Sequence, residues 1–288
     1  MNVLPSLVIP GFPKCGTSSL YYYLNQHEEI DGVEGKEPHV FTSENRFKQR
    51  HEIFLGRFNE DRNHTYRLDA STTYMIAPDA PHRIKKSSPN CKFIIIARDP
   101  IERVFSHYNW LWCNGYIEQD FVPEVRDWES SRFNPNVSFG GNYKYYVEFS
   151  RYGEQLKRYL DVFGRDRILL LTTEEMKEAP QRVLNQCFEY LNLTPPEEID
   201  MERRNVTEEK EISNIPNLLS QFWRAIPDSL AQRLPKKWVK SWFTKTVKPK
   251  TFGEEEEAFV FDLLRDDIRK QQALGIFSER WSTTGKFI

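Results

Sequence analysis

The sequence predicts an α/β fold: a mostly parallel sheet flanked by helices on both faces. Three observations lead there. Short apolar runs recur without polar alternation, at Leu4–Pro10 (LPSLVIP), Lys92–Ala97 (KFIIIA) and Arg167–Thr172 (RILLLT); such runs are strands buried on both faces. Helical patterns separate them, as βαβ units require. The 288 residues, 39% hydrophobic, 14% aromatic and 28% charged, describe a globular chain rather than a disordered one. One domain spanning residues 1–288 is expected, with no linker or repeat to divide it.

The elements follow in order. Leu4–Pro10 reads as the first strand, and a Gly-containing turn leads into a helix from Thr17 to Gln26. Tyr66–Asp69 reads as a short strand and Pro78–Lys86 as a short helix. Lys92–Ala97 is a strongly apolar strand. Pro100 suits the first position of the helix that follows, to Cys113, because its missing N–H would be unpaired there anyway. Residues 114–142 carry Gly, Asn and Pro and read as irregular. Tyr143–Phe163 reads as a helix closed by Gly164. Arg167–Thr172 is a strand, Ala179–Leu191 an amphipathic helix, 195–215 a polar loop, and Glu254–Leu274 a long helix ending at Gly275.

Lys plus Arg number 40 and Asp plus Glu 42, a net charge of −2. That balance excludes a surface-wide polyanion partner such as nucleic acid, while leaving room for a local basic site. The first apolar run is too short and too Pro-broken for a signal peptide or a membrane span. Cys15, Cys91, Cys113 and Cys187 lack CxxC or zinc spacing. They read as free thiols in a reducing, cytoplasmic compartment, with the Golgi lumen the alternative if the sequence is a piece of a longer chain. Oligomeric state stays open.

The segment Ile9-Pro-Gly-Phe-Pro-Lys-Cys-Gly-Thr-Ser-Ser-Leu20 leaves a buried strand and enters a helix through a Gly-bracketed loop. Such a loop aims backbone N–H groups and a helix N-terminus at one spot, which suits a phosphate. Thr17, Ser18 and Ser19 add hydroxyl donors and Lys14 a mobile positive charge. Gly11 and Gly16 have the spacing of the nucleoside triphosphate loop GxxxxGK[ST], but Thr17 stands where its lysine would be, and Lys14 lies inside the loop. The magnesium-binding hydroxyl is therefore out of register as well.

These residues resemble a known family. PKCGTSSL after a strand is similar to the 5′-phosphosulfate loop of sulfotransferases that use 3′-phosphoadenylyl sulfate (PAPS). Ile94–Tyr108, again strand, turn and helix, resembles the family's 3′-phosphate element R-[DN]-P-x-x-R-x-x-S-x-Y, matched by Arg98, Asp99, Pro100, Arg103, Ser106 and Tyr108. Arg98 leaves the strand end and can fork onto a phosphate; a surface ion pair with Asp99 or Glu102 is its bland alternative. Arg103 lies on a different helix face from Ser106 and suits a structural role. Both elements stand at strand carboxyl ends, the edge where open α/β sheets bind ligands.

The resemblance implies the sulfotransferase fold, PAPS as cosubstrate with 3′,5′-ADP as product, and no metal. Lys14, Cys15, Gly16, Thr17, Ser18 and Ser19 would hold the 5′-phosphosulfate, and Arg98 and Ser106 the 3′-phosphate. Gly35-Lys-Glu-Pro-His-Val-Phe41 resembles the KExxxF segment of carbohydrate-type members, heparan sulfate enzymes included, whose glutamate is the base. Glu37 takes that position with Lys36 beside it, and Lys14 joins it as a catalytic group. His39 competes as base, since an imidazole titrates near neutrality and cytosolic members use a histidine. Leu68–Tyr74 resembles a segment near the acceptor, so Asp69, Ser71 and Tyr74 are expected to touch it; a capped turn explains them equally well.

Trp110, Trp112 and Tyr116, with Phe139, Tyr143, Tyr145, Tyr146 and Phe149, could wall an acceptor pocket; Trp110 and Tyr143 are the named candidates. Residues 233–250 contain seven Lys or Arg and no acid. Many members place a basic loop there, usually with a Lys-Gly pair that is missing here, and Lys248 and Lys250 are named on that ground. A solvated basic face is the alternative. The expected acceptor is a small molecule or a carbohydrate bearing a hydroxyl or an amine. Two other functions stay open: a phosphotransferase using ATP and magnesium, and a nucleotide-binding module without catalysis.

Overall fold

Strands β1 (Leu7–Val8), β2 (Ile30–Gly32), β3 (Tyr66–Asp69), β4 (Lys92–Ala97) and β5 (Ile168–Thr172) form one sheet in the spatial order β2-β3-β1-β4-β5, every pairing parallel. The computed structural model describes residues 4–59, 64–134, 144–201, 210–213, 244–276 and 278–288. Among them the α-helices are α1 (Thr17–Leu24), α2 (Glu44–Lys48), α3 (Arg50–Phe54), α4 (Ala80–Ser87), α5 (Pro100–Cys113), α6 (Phe121–Asp127), α7 (Tyr152–Phe163), α8 (Thr173–Glu178), α9 (Pro180–Leu191), α10 (Glu254–Ala273) and α11 (Ser282–Gly285). The α/β expectation is met: a parallel sheet with flanking helices.

The apolar runs become central strands because both their faces are covered. Phe93, Ile94, Ile95 and Ile96 of β4 are buried, as are Leu7 and Val8 of β1. Each such side chain gains about 1.5–3 kcal/mol over exposure. Leu7 registers with Leu68 on one side and Lys92 on the other, and β4 pairs with β5 from Phe93↔Ile168 to Ala97↔Thr172. A second core lies where α5 meets α6 and α10, around Ile101, Val104, Tyr108, Leu111, Val125, Val260 and Leu264.

Three expectations are corrected. The helix read over Tyr143–Phe163 begins at Tyr152, after a 3₁₀ turn at Glu148–Ser150. The cause is Arg103, fully buried, whose guanidinium donates to the Tyr146 carbonyl and to Ser150 Oγ (2.5 Å), drawing that stretch around itself. Gly153 then lets α7 approach α10 closely, since a Cβ there would lie 2.7 Å from Lys270 Cβ. Asp267 of α10 accepts from the Gly153 and Glu154 amides at 2.9 and 3.0 Å. Second, residues 114–142 are not wholly irregular, since α6 forms within them. Third, the polar stretch 195–215 contains β6 (Lys210–Ser213), which pairs antiparallel with β7 (Thr244–Val247). Its partner is too distant in sequence for local pattern to reveal.

The four cysteines are free and buried. Among the described residues no helix is long and apolar enough to cross a membrane.

Candidate active site

A cleft of about 830 Å³ opens beyond the sheet's carboxyl edge. Residues following all five strands line it: the 13–19 loop after β1, Glu37 after β2, Thr72 after β3, Arg98 after β4 and Thr173 after β5. The strand order makes this edge the site's natural position. Connections leave β1 toward β2 and β3 on one side, and β4 lies on the other, which opens a crevice between them.

The first loop reaches the cleft through a left-handed turn. Gly16, the N-cap of α1, has φ 87°, a conformation costly for any residue with a Cβ. It has no side chain to cap the helix, and the first turn of α1 contains no acid. The helix N-terminus is therefore electropositive toward the cleft. Lys14, Gly16, Thr17, Ser18 and Ser19 all line it. The Lys14 ammonium lies 5.6 Å from the Trp110 ring centroid. Cys15 contributes backbone only: its thiol is buried, 3.7 Å from the Tyr152 hydroxyl, and burial pushes it up to about 11. Thr173 Oγ1 lies 2.8 Å from the Cys15 carbonyl oxygen and 3.1 Å from that of Ala97, joining the loop to the ends of β4 and β5.

The second element is built by α5. Asp99 caps it, accepting from the Ile101 and Glu102 amides at 3.0 and 3.3 Å. One helix face, Glu102, Phe105, Ser106, Asn109 and Trp110, lines the cleft, at the i, i+3, i+4, i+7 spacing of a single stripe. Arg98 Nη2 donates to Glu102 Oε2 at 3.0 Å, the ion pair that stands as the alternative reading of this arginine. Arg98 Nε is buried at the cleft with no hydrogen-bond partner among the described residues. A buried donor left so costs about 1–3 kcal/mol, which an incoming anion would recover.

Glu37 enters the cleft from the loop after β2. Lys36 Nζ contacts its Oε1 at 2.5 Å and Thr72 Oγ1 donates to its Oε2 at 3.0 Å. Burial pushes the Glu37 carboxyl up. The Lys36 ammonium, the His39 ring and the Thr72 hydroxyl outweigh that and hold it below its usual range. His39 stands behind Glu37, Nε2 3.6 Å from Oε2 and Nδ1 2.9 Å from Thr73 Oγ1. Burial pulls its imidazole below the usual range. Neither Lys36 nor His39 lines the cleft.

A family model described as the sulfotransferase domain matches residues 4–260. The chain belongs to the sulfotransferase family. It is 25% identical over 192 residues to heparan sulfate glucosamine 3-O-sulfotransferase 3A1 of Mus musculus, covering 66% of this chain and 46% of that one. It is 22% identical over 254 residues to carbohydrate sulfotransferase 15 of Mus musculus, covering 68% and 45%. The chain thus spans about half the length of these curated relatives. Among solved structures, a sulfotransferase from Alicyclobacillus acidocaldarius superposes with a TM-score of 0.59 at 25% identity, over 82% of this chain and 99% of that one. Mouse sulfotransferase SULT7A1, complexed with PAP, superposes at 0.53 and 11% identity over 98% and 89%; this second likeness speaks for the fold alone.

Several expectations for this sulfotransferase are revised by the geometry. Asp69, Ser71 and Tyr74 are fully buried and do not line the cleft. Asp69 accepts from the Ser71 and Tyr74 hydroxyls, each at 2.7 Å. Ser71 Oγ accepts from the His39 amide (3.0 Å) and the Tyr74 hydroxyl from the Val40 amide (2.9 Å). They form a buried bracket beneath the Glu37 loop rather than an acceptor contact. Of the aromatics, Trp110 lines the cleft, whereas Tyr145, Tyr146 and Phe149 are core. Tyr143 and Phe139 lie outside the described residues, as do 233–243 of the basic stretch. Lys248 is exposed and does not line the cleft. Lys250 lines it, paired with Asp120 at 2.5 Å and 3.9 Å from the Trp112 ring centroid.

Thr72, Thr173 and Asn109 were not anticipated. Asn109 could have been found from the α5 stripe, three residues after Ser106. Thr72 lies within the Leu68–Tyr74 segment, between the residues named there, and Thr173 carries no signal beyond following a strand.

Proposed function

We propose that this sulfotransferase moves the sulfuryl group of PAPS to a hydroxyl or amine of a carbohydrate or small-molecule acceptor, leaving 3′,5′-ADP. The observation that carries this reading is the convergence of two anion-seeking elements, the Lys14–Ser19 loop and the Arg98–Ser106 turn, with an ionised carboxylate, Glu37, in one cleft. The orphaned Arg98 Nε and the acid-free N-terminus of α1 suit a ligand with anionic groups at two places. Relatives named for heparan sulfate and carbohydrate favour a carbohydrate acceptor.

PAPS, when bound, supplies an activated sulfuryl group on a phosphosulfate bridge. The loop amides and the hydroxyls of Thr17, Ser18 and Ser19 would hold its 5′ side, and Arg98 and Ser106 its 3′-phosphate. Glu37 takes the acceptor proton, and its position in the cleft favours it over His39 as base. Lys14 neutralises the negative charge that develops on the leaving oxygen. The low position of the Glu37 carboxyl keeps it unprotonated at neutral pH.

The test is calorimetric binding of 3′,5′-ADP together with transfer of labelled sulfate from PAPS to an acceptor panel. Wild type should bind and transfer; Lys14→Ala should retain the fold and lose transfer by about a hundredfold or more. Unimpaired transfer by that variant, or no 3′,5′-ADP binding by wild type, overturns the reading.

A further inference from the structure

The family match ends at residue 260, yet a segment beyond it grips the turn that carries Arg98. Thr284 donates twice to Asp99, from its amide to Oδ2 (2.9 Å) and from Oγ1 to Oδ1 (2.7 Å). Thr283 Oγ1 donates to Glu102 Oε1 at 3.1 Å, and the other oxygen of that carboxylate accepts from Arg98. Trp281, fully buried, donates from Nε1 to Glu174 Oε2 (3.0 Å), and Glu174 Oε1 accepts from the Asp99 amide (3.3 Å).

These contacts converge on one object. An i,i+4 ion pair near the surface is weak and does not by itself hold an arginine in one rotamer. Glu102 is different because Thr283 holds one oxygen, which sets the plane of the carboxylate and hence where the other oxygen meets the guanidinium. Asp99, the residue next to Arg98, is pinned at both oxygens, so the backbone carrying Arg98 is set as well.

We propose that the segment Trp281–Gly285 is a positioning element for the 3′-phosphate contact, acting from Thr283 through Glu102 on Arg98. The inference rests on the reading of Arg98 as that contact. It assigns to a segment beyond the family match a role in donor recognition, with no contact to the donor itself.

The experiment measures 3′,5′-ADP and 5′-AMP affinities of the full chain by calorimetry. Their ratio isolates the contribution of the 3′-phosphate, which a merely structural role would not change. Thr283→Val and Thr283→Ala should each lower the ratio about three- to tenfold, with 5′-AMP affinity nearly unchanged, and Thr283→Ser should restore it. In a Glu102→Ala background Thr283→Val should have no further effect. A ratio at the wild-type value in both Thr283→Val and Thr283→Ala overturns the inference. So does an undiminished effect of Thr283→Val without Glu102. A wild-type ratio near one is a separate failure, removing the 3′-phosphate reading of Arg98 and this inference with it.

Discussion

Around Glu37 the backbone is left-handed at Lys36 (φ 58°) and at His39 (φ 51°). Neither is glycine, and each such position costs on the order of 1 kcal/mol or more. The buried bracket of Asp69, Ser71 and Tyr74 holds the strained loop by hydrogen-bonding the His39 and Val40 amides. Glu37→Gln keeps the side chain's shape and removes its basicity. Turnover should fall about 10²- to 10⁴-fold while 3′,5′-ADP affinity is retained; undiminished turnover would move the base elsewhere, to His39 first. Asp69 makes a second prediction. Burial pushes its carboxyl up to about 7, although the Tyr74 and Ser71 hydroxyls pull it back, against 3.8 when unperturbed. The folded state thus holds the proton more tightly than the unfolded one. That contribution to stability is complete below pH 3.8 and is lost as pH rises through 7. Asp69→Asn removes the dependence, so its Tm relative to wild type should climb between pH 5 and pH 8. A flat difference across that range would show that Asp69 titrates normally.

Helix α5 joins the two binding elements. Its N-cap follows Arg98, its outer stripe lines the cleft, and its opposite face enters the core with α10. Asn109 on the stripe pairs twice with the backbone of Lys250, donating from Nδ2 to the carbonyl (2.9 Å) and accepting from the amide at Oδ1 (2.8 Å). This double contact seats the segment 249–252 along the cleft wall. Asn109→Ala should raise the KM for PAPS about three- to tenfold with kcat little changed, the loss of two modest hydrogen bonds. A change in kcat alone would place Asn109 at the chemistry instead. The helix itself was legible to the residue, Pro100 to Cys113, because proline starts it and the apolar period sustains it. Its Asn109 contact was not, because the partner is remote in sequence.

At the scale of the molecule, a net charge of −2 leaves room for a mixed-charge cleft, where Lys14, Arg98, Lys177 and Lys250 stand with Glu37, Glu102 and Glu257. The register of the first loop, with Thr17 where a nucleoside triphosphate loop has lysine, predicts that activity survives EDTA. Strict dependence on magnesium, with phosphate transferred from ATP, would favour the phosphotransferase instead. The strands at Leu7, Lys92 and Ile168 were readable because a buried parallel strand writes itself as an apolar run, and the short strand at Tyr66 was read without one, since Arg67 and Asp69 interrupt it. The edge strand β2, the pair β6 and β7, and the short helices α2, α3 and α6 were not, since partners distant in sequence or too few residues define them. The two phosphate-type motifs and Glu37 were likewise visible, being local strand–turn–helix patterns or single loops. The sequence by itself therefore determined the fold class and the elements that face the cleft. Tertiary structure alone decided that Asp69, Ser71 and Tyr74 support the site from below, that Arg103 reshapes the start of α7, and that Thr283 reaches Glu102. Those are hydrogen bonds between residues far apart in the chain, and no periodicity or spacing encodes them.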